Sequence, residues 1–297
     1  MKRLHLEHPE DTILTGDLSV LDAFLAPNDY SVKIDGSPAI VWGTNPDNGK
    51  FFVGTKSVFN KKNPKINYTE EDICRNHPQF ELQSILIRCL HCLPRTDAVP
   101  FQVFQGDFIG YGGYRDYKPN VISYTFDRVM HKGIVVAPHT YYTGNTLKDM
   151  EANALTFVLL GGDGADFIQP DAWISEYRGN AMNIEMMVGF ARQMATLVDF
   201  ATEKEAKQLK IDLNAYVRDG DEVVAEEFAN YQLVRLWCLV ENIKTEYMKL
   251  MRDNFNVDCF LGNDYVDGEG YVMTGEHGTY KLVNRWVFSH HNFNAVR

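Results

Sequence analysis

Two stretches of strand-like sequence are separated by a long stretch of helical period, and that interruption constrains the fold more than any other feature. Residues 28–60 read as strands. Tyr30-Ser-Val-Lys-Ile and Ala39-Ile-Val-Trp are apolar and β-branched, with Asp35-Gly-Ser-Pro as a turn between them. Asn45-Pro-Asp-Asn-Gly is a second turn leading into Lys50-Phe-Phe-Val-Gly, so the spacing predicts an antiparallel meander. Thr69-Glu-Glu-Asp predicts a capped helix start, and residues 79–93 keep helical spacing until Pro94. Phe101–Phe108, Val121–Phe126 and Gly133–Ala137 predict further strands. From about residue 145 to 255 helical periodicity dominates, with candidate helices over 181–200 and 222–254. In the latter, Leu233, Leu236, Val240, Ile243, Tyr247 and Leu250 form a stripe at steps of three and four. Strand-like sequence returns as Glu269-Gly-Tyr-Val-Met and Thr279-Tyr-Lys-Leu-Val-Asn. The expected class is α+β: an antiparallel core built from residues 1–144 and 259–297, with residues 145–258 as an inserted helical subdomain.

Charge sharpens that division. The chain has 297 residues and a formal net charge of −11. Residues 145–258 hold 11 basic and 20 acidic side chains, whereas the rest is nearly balanced. Such a surface is unpromising for gripping nucleic acid everywhere. The exception is Lys56-Ser-Val-Phe-Asn-Lys-Lys-Asn-Pro-Lys65, which carries four lysines and no acid. It is either a solvated loop or a local anion site. An apolar fraction of 45% excludes a disordered or fibrous chain. No apolar run approaches the roughly 18 residues of a membrane helix, and MKRLHLEHPEDTILTG lacks the apolar core of a signal peptide. Five cysteines make no disulfide framework, which favours a reducing, cytoplasmic setting.

Three constellations could carry chemistry. Lys33-Ile-Asp35-Gly36 sets a lysine two residues before an acid and a turn glycine, so it is either a hairpin turn or a covalent nucleophile. Phe104-Gln-Gly106-Asp107-Phe-Ile-Gly ends an apolar strand with a carboxylate suited to a ribose hydroxyl, beside a glycine that lets backbone approach a ligand. Glu269-Gly-Tyr-Val-Met, with Lys281 twelve residues after the glutamate, offers an acid for Mg²⁺ and a lysine for a phosphate. Salt-bridge partners across a hairpin would look the same.

Taken together and in this order, the three resemble the motifs of the covalent nucleotidyltransferase superfamily of polynucleotide ligases and mRNA capping enzymes. Lys33 falls on its motif I, Asp107 on motif III, Glu269 on motif IV and Lys281 on motif V. Tyr124-Thr-Phe126-Asp is similar to the aromatic motif IIIa, and VFQGDFIGYG with EGYVM looks most like the RNA-ligase branch. HLEHPED, DGSPAI and KFFVGTKSVFNKKNPKINYTEEDI resemble an uncharacterised family encoded by tailed phages. The resemblance implies an ATP-grasp-like adenylation core that uses ATP and Mg²⁺, with RNA or DNA ends as the expected acceptor. It implies that Lys33 takes the AMP, Glu269 binds Mg²⁺, and Lys281 and Lys56 meet phosphates. Asp35 and Asp107 would serve the ribose or a metal-bound water, Phe126 the adenine, and Gly36 would lie beside the nucleotide.

Departures accompany the match. Asp107 stands where glutamate is usual, and Pro38 where DNA ligases and capping enzymes carry arginine. Motif V has one lysine where two are common, with Arg285 as the candidate replacement. Sixteen residues follow Lys281, so no oligonucleotide-binding barrel is expected after it. AMP transfer to a protein or small molecule, nucleotide binding without catalysis, and a GTP-using capping reaction stay open. Cys74-x-x-His77 and Cys89-x-x-Cys92 have zinc-like spacing, but Cys89 and Cys92 read as buried reduced thiols. His5, His8, His290 and His291 read as surface or packing residues, and Gly161-Gly-Asp-Gly as a turn.

Overall fold

The apolar runs around Ile40 and Phe52 are too continuous for strands with one wet face, and both faces of their sheet are in fact buried. The structure, a computed structural model, describes residues 6–93, 103–175 and 178–289. His5, Pro94, Phe101, His290 and His291 lie outside the described residues. In chain order the strands are β1 (Asp29–Val32), β2 (Ala39–Thr44), β3 (Phe51–Gly54), β4 (Val103–Tyr111), β5 (Asp116–Tyr117), β6 (Ile122–Phe126), β7 (Ile134–Thr143) and β8 (Glu151–Ala154). They continue as β9 (Ala165–Phe167), β10 (Ala172–Ile174), β11 (Met251–Asp253), β12 (Val257–Leu261), β13 (Asp264–Val266), β14 (Gly270–Gly275) and β15 (Gly278–Val283). The helices are α1 (Pro9–Thr12), α2 (Ser19–Ala23), α3 (Glu70–Asn76), α4 (Phe80–Cys92), α5 (Arg178–Ala195), α6 (Glu203–Asp219) and α7 (Tyr231–Met248). The class is α+β with predominantly antiparallel sheets, as the pattern predicts. Among the described residues no helix is long and apolar enough to cross a membrane.

The chain divides into two units, each discontinuous in sequence. The first takes Ile34–Gln169 and Asn256–Gly268; the second takes Leu6–Lys33, Pro170–Phe255 and the chain from Glu269 onward. In the first, an antiparallel sheet runs β3-β2-β4-β7-β8, and β9 pairs parallel to β7. Ile40, Trp42, Phe104 and Val136 on one face pack against Ile85, Leu86 and Cys89 of α4. Val41, Phe52, Val103 and Tyr142 on the other pack with Phe59, Leu147 and Met150. Each large side chain so buried contributes roughly 1.5–3 kcal/mol. A smaller antiparallel sheet, β13-β12-β6-β5, belongs to the same unit. Helix α3 starts where the sequence predicts, through a reciprocal Thr69–Asp72 capping box.

The second unit sets the antiparallel sheet β1-β14-β15 in one core with α5 and α7. Leu233, Leu236, Val240, Ile243 and Tyr247 are all buried there, as their stripe predicts, beside Met273, Tyr280 and Leu282 of the sheet. Helix α6, not separately anticipated, is capped by Thr202 with Glu205 and closed by Gly220 in the left-handed region.

Two expectations are corrected. β1 is no part of a meander with β2. It pairs with β14, while β2 pairs with β3 and β4, so Asp35-Gly-Ser-Pro joins two different sheets. Secondly, residues 145–258 are not helical throughout. β8 and β9 extend the sheet of the first unit, where Leu155 and Ala165 enter its core, and the helices start only at Arg178. Strands of three or four residues are too short to show a period in sequence.

Candidate functional site

In the second unit the end of β1 lies against the start of β14. Val32 pairs with Tyr271, and the Lys33 N–H donates to the Gly270 carbonyl at 2.8 Å, which carries the ladder one residue further. There the Lys33 Nζ donates to Glu269 Oε2 at 2.7 Å, with the two side chains 21% and 9% exposed. Gly270 is what lets Glu269 enter the sheet here. Its φ is +133°, and a Cβ would come within 2.1 Å of the Leu282 carbonyl oxygen on β15. Lys281 lies on β15 opposite Val272, and its backbone N–H donates to the Glu7 carbonyl at 3.1 Å. Burial, and then the charge of Lys33, lowers the Lys281 pKa.

His8 is a member of this neighbourhood that its sequence context does not reveal. It is buried, its Nδ1 has no hydrogen-bond partner, and its pKa is held well below the ordinary imidazole value. Burial is the main cause, reinforced by the cations Arg285, Lys281, Lys244 and Lys33. Arg285 is committed elsewhere. Its guanidinium donates to Asp11 at 2.9 Å and Glu10 at 3.3 Å, and also to Asn214. Lys244 pairs with Glu10 at 2.7 Å, and the Trp237 Nε1–H donates to Asp11 at 3.0 Å. These fully or nearly buried charges pair with one another, as burial demands, although Glu10 Oε2 and Arg285 Nε are buried without a hydrogen-bond partner. Lys33, just past the end of β1, and Glu269, just before β14, therefore flank the small sheet whose β15 carries Lys281, with a neutral imidazole as neighbour, a setting suited to an anion.

The other candidate residues belong to the first unit. The Asp35 N–H donates to Tyr124 Oη at 2.9 Å, and its carboxylate accepts from Asn120. Gly36 passes against β4, where the next N–H, of Ser37, donates to the Phe108 carbonyl at 3.0 Å. Asp107 lies on β4 with Oδ1 3.6 Å from His139 Nε2. Phe126 is buried with its ring edge-on to Tyr117 at 5.7 Å. Lys56 is exposed at the start of a short 3₁₀ turn, and Lys61 and Lys62 follow it, also exposed. Gly106 does not open β4 to a ligand as its sequence suggests. A Cβ there would meet the Ala137 carbonyl oxygen at 2.7 Å, so the neighbouring strand occupies the space. Asn120, Tyr124 and His139 were not legible as partners, because Asn120 and Tyr124 lie 85 and 89 residues from Asp35 in sequence, and His139 meets Asp107 only across the β4–β7 pair.

No group of three or more His, Cys, Asp or Glu side chains among the described residues could hold a metal ion. His77, of the zinc-like pair with Cys74, is buried with Nε2 3.3 Å from Asn67 Nδ2. Cys89 faces the core from α4, where burial pushes its thiol pKa up.

One family model, described as a family of unknown function (DUF6267), matches the chain over residues 3–228 and 186–297. No curated protein and no solved structure matches it.

Proposed function

We propose, for a chain that belongs to the family of unknown function DUF6267, that it is an ATP-dependent covalent nucleotidyltransferase acting as an RNA or polynucleotide ligase. The reading starts from the motif resemblance, and one observation carries it. The residues at the positions of motifs I and IV adjoin the ends of β1 and β14 in the sheet whose β15 carries the motif V lysine, with the Lys33 Nζ 2.7 Å from Glu269. A lysine amine is a nucleophile only once its proton is gone, and it must be held still to attack. Glu269 holds the Nζ by a charge-assisted hydrogen bond.

In the reaction the Lys33 ammonium would give one proton by way of the Glu269 carboxylate, 2.7 Å away, to solvent, and the neutral amine would attack the α-phosphorus of ATP. The N–P bond forms, the bond to the bridging oxygen breaks with pyrophosphate leaving, and a second proton passes from Nζ to solvent, which leaves the phosphoramidate N–H. Lys281 would meet phosphate charge that the approaching triphosphate brings. No protein-only cage for Mg²⁺ exists among the described residues, but Mg²⁺ is ordinarily held by one or two carboxylates together with substrate phosphates. Glu269 fits that single-carboxylate role, and the ion's chemistry there is neutralisation of phosphate charge. The AMP then passes to a 5′-phosphate, whose activated end is attacked by a 3′-hydroxyl. A cytoplasmic location, that of the host if the chain is phage-encoded, accompanies this reading.

A second reading has its own observations. The acidic excess of residues 145–258 opposes a phosphate backbone, and Arg285 is committed to Glu10 and Asp11 instead of replacing a second motif V lysine. Both favour AMP transfer to a protein or small molecule. Intact-mass measurement after incubation with ATP, or separately GTP, and Mg²⁺ tests the common step. One added AMP is expected on the wild-type chain and none on Lys33→Ala. An adduct that persists in Lys33→Ala removes the mechanism, and its absence from the wild type leaves at most nucleotide binding.

A further inference from the structure

Helix α5 buries one face and leaves the opposite one apolar. Ile184, Val188, Ala191 and Ala195, at steps of four, three and four, enter the core of the second unit. Half a turn round the helix, Met182, Met186 and Phe190 are 63%, 68% and 57% exposed. Exposed Gln193 follows on the same line. Leu197, 74% exposed, ends it in the closing turn, where its N–H donates to the Met194 carbonyl at 2.9 Å. Residues 145–258 hold 20 acidic side chains, yet this stripe holds none. Taking about 200 Å² for a whole side chain of this size, the four apolar ones expose roughly 500 Å². A contiguous apolar patch of that size marks an interaction site.

Two features point to what covers the stripe. Gly189 lies beside Phe190 inside the helix, where glycine is less favourable than alanine. A Cβ there would meet nothing within 4 Å, so packing within the chain does not require the glycine. It leaves a hollow next to the bulkiest side chain of the stripe. Secondly, the stripe is complementary to itself when a second copy lies across it antiparallel. Contacts about a two-fold axis are reciprocal. With that axis between positions 189 and 190, Phe190 of each copy meets the partner's Gly189 hollow, Met182 meets the partner's Leu197, and Met186 meets the partner's Gln193. The charged rim agrees. Glu185 and Arg192 are exposed on one edge, two turns apart, and an antiparallel pair sets each Glu185 near the partner's Arg192. Arg192 already donates to Asp22, and its remaining guanidinium donors can take a second carboxylate. Through the four apolar side chains alone a pair would bury roughly 1,000 Å², close to the lower limit of a specific interface.

We propose that the outer face of α5 is an interaction surface whose partner is the same face of a second copy of this chain, packed antiparallel about a two-fold axis between Gly189 and Phe190. The proposal does not depend on the nucleotidyltransferase reading. Identical surfaces that meet about a two-fold axis close on themselves, so association stops at two chains.

Sedimentation velocity of the full chain over a range of concentrations tests it. The wild type should reach twice the mass of one chain and go no further. Phe190→Glu, at an exposed position, should keep the circular dichroism of the wild type and weaken association about ten-fold or more. Gly189→Leu fills the hollow, so it should weaken association while the thermal midpoint holds or rises, since leucine is the better helix former. Orientation has its own readout. In an equal mixture of Met182→Cys and Leu197→Cys chains, mild oxidation should join position 182 to position 197, as identified by peptide mass, whereas a parallel pair would join 182 to 182. A wild type that keeps the mass of one chain throughout overturns the inference. So does an association that Phe190→Glu or Gly189→Leu leaves undiminished, or a dimer that gives no bond between 182 and 197.

Discussion

Single residues in this protein carry more information in their surroundings than in their identity. His8 reads from sequence as a packing or surface residue, yet it is buried beside four cations that hold its pKa well below the usual value. In the unfolded chain it binds a proton at its ordinary pKa of about 6.5, whereas in the folded chain it stays neutral to lower pH. Between those two values the unfolded state holds more protons, so stability falls as pH falls through that window and is complete above it. Thermal unfolding midpoints at pH 7.5 and pH 5.5 should therefore differ, and His8→Gln, which cannot be protonated, should shrink the difference. An identical pH dependence in His8→Gln would show that His8 does not titrate against the fold. Arg285 makes the same point from the other side. Its position four residues after Lys281 suggested a phosphate contact, but Glu10 and Asp11, 275 and 274 residues away in sequence, take its guanidinium. No local pattern encodes a partner that distant.

At the scale of elements, legibility follows the range of the interaction. The capping box at Thr69 and the buried stripe of α7 are local, so spacing alone reveals them. The partner of β1 is β14, some 240 residues on, and adjacency along the chain wrongly favoured β2. The lysine and glutamate of the candidate site were legible as motifs, while the hydrogen bond between them needed that long-range pairing. Gly270 belongs to this scale, since it serves the pairing of two strands and not a ligand. Gly270→Ala places a Cβ against the Leu282 carbonyl at a φ that L-residues rarely adopt. Backbone strain alone should cost about 1–3 kcal/mol. Separating β14 from β15 should also misplace Glu269 and reduce AMP incorporation at Lys33. Urea denaturation would measure the first effect and intact mass the second. A variant as stable and as readily adenylated as the wild type would show that the sheet absorbs the change.

For the whole molecule, the decisive quantity is where charge lies. A net charge of −11 opposes a nucleic-acid backbone, and the one basic segment, Lys56 to Lys65, belongs to the first unit. The sequence identified that segment correctly as lysine-rich, and the structure leaves Lys56, Lys61 and Lys62 exposed with Lys65 half-buried. If a single-stranded RNA is the acceptor, these lysines are its natural path. Each phosphate contact to a single strand releases counterions with a slope of about −0.7 in log K against log salt, so contacts by Lys61, Lys62 and Lys65, with Lys56 left to the nucleotide, predict about −2.1. Replacing those three together with alanine should bring the slope to about zero. Adenylation of Lys33 should persist, because of the four only Lys56 is assigned to the nucleotide. Fluorescence anisotropy of a labelled single-stranded RNA between 50 and 200 mM salt would give both slopes. An unchanged slope in the triple variant moves the RNA path elsewhere on the protein. A wild type that becomes adenylated yet binds no RNA or DNA even at low salt removes the ligase reading, and the acceptor is then a protein or a small molecule, the outcome that the acidic surface favours.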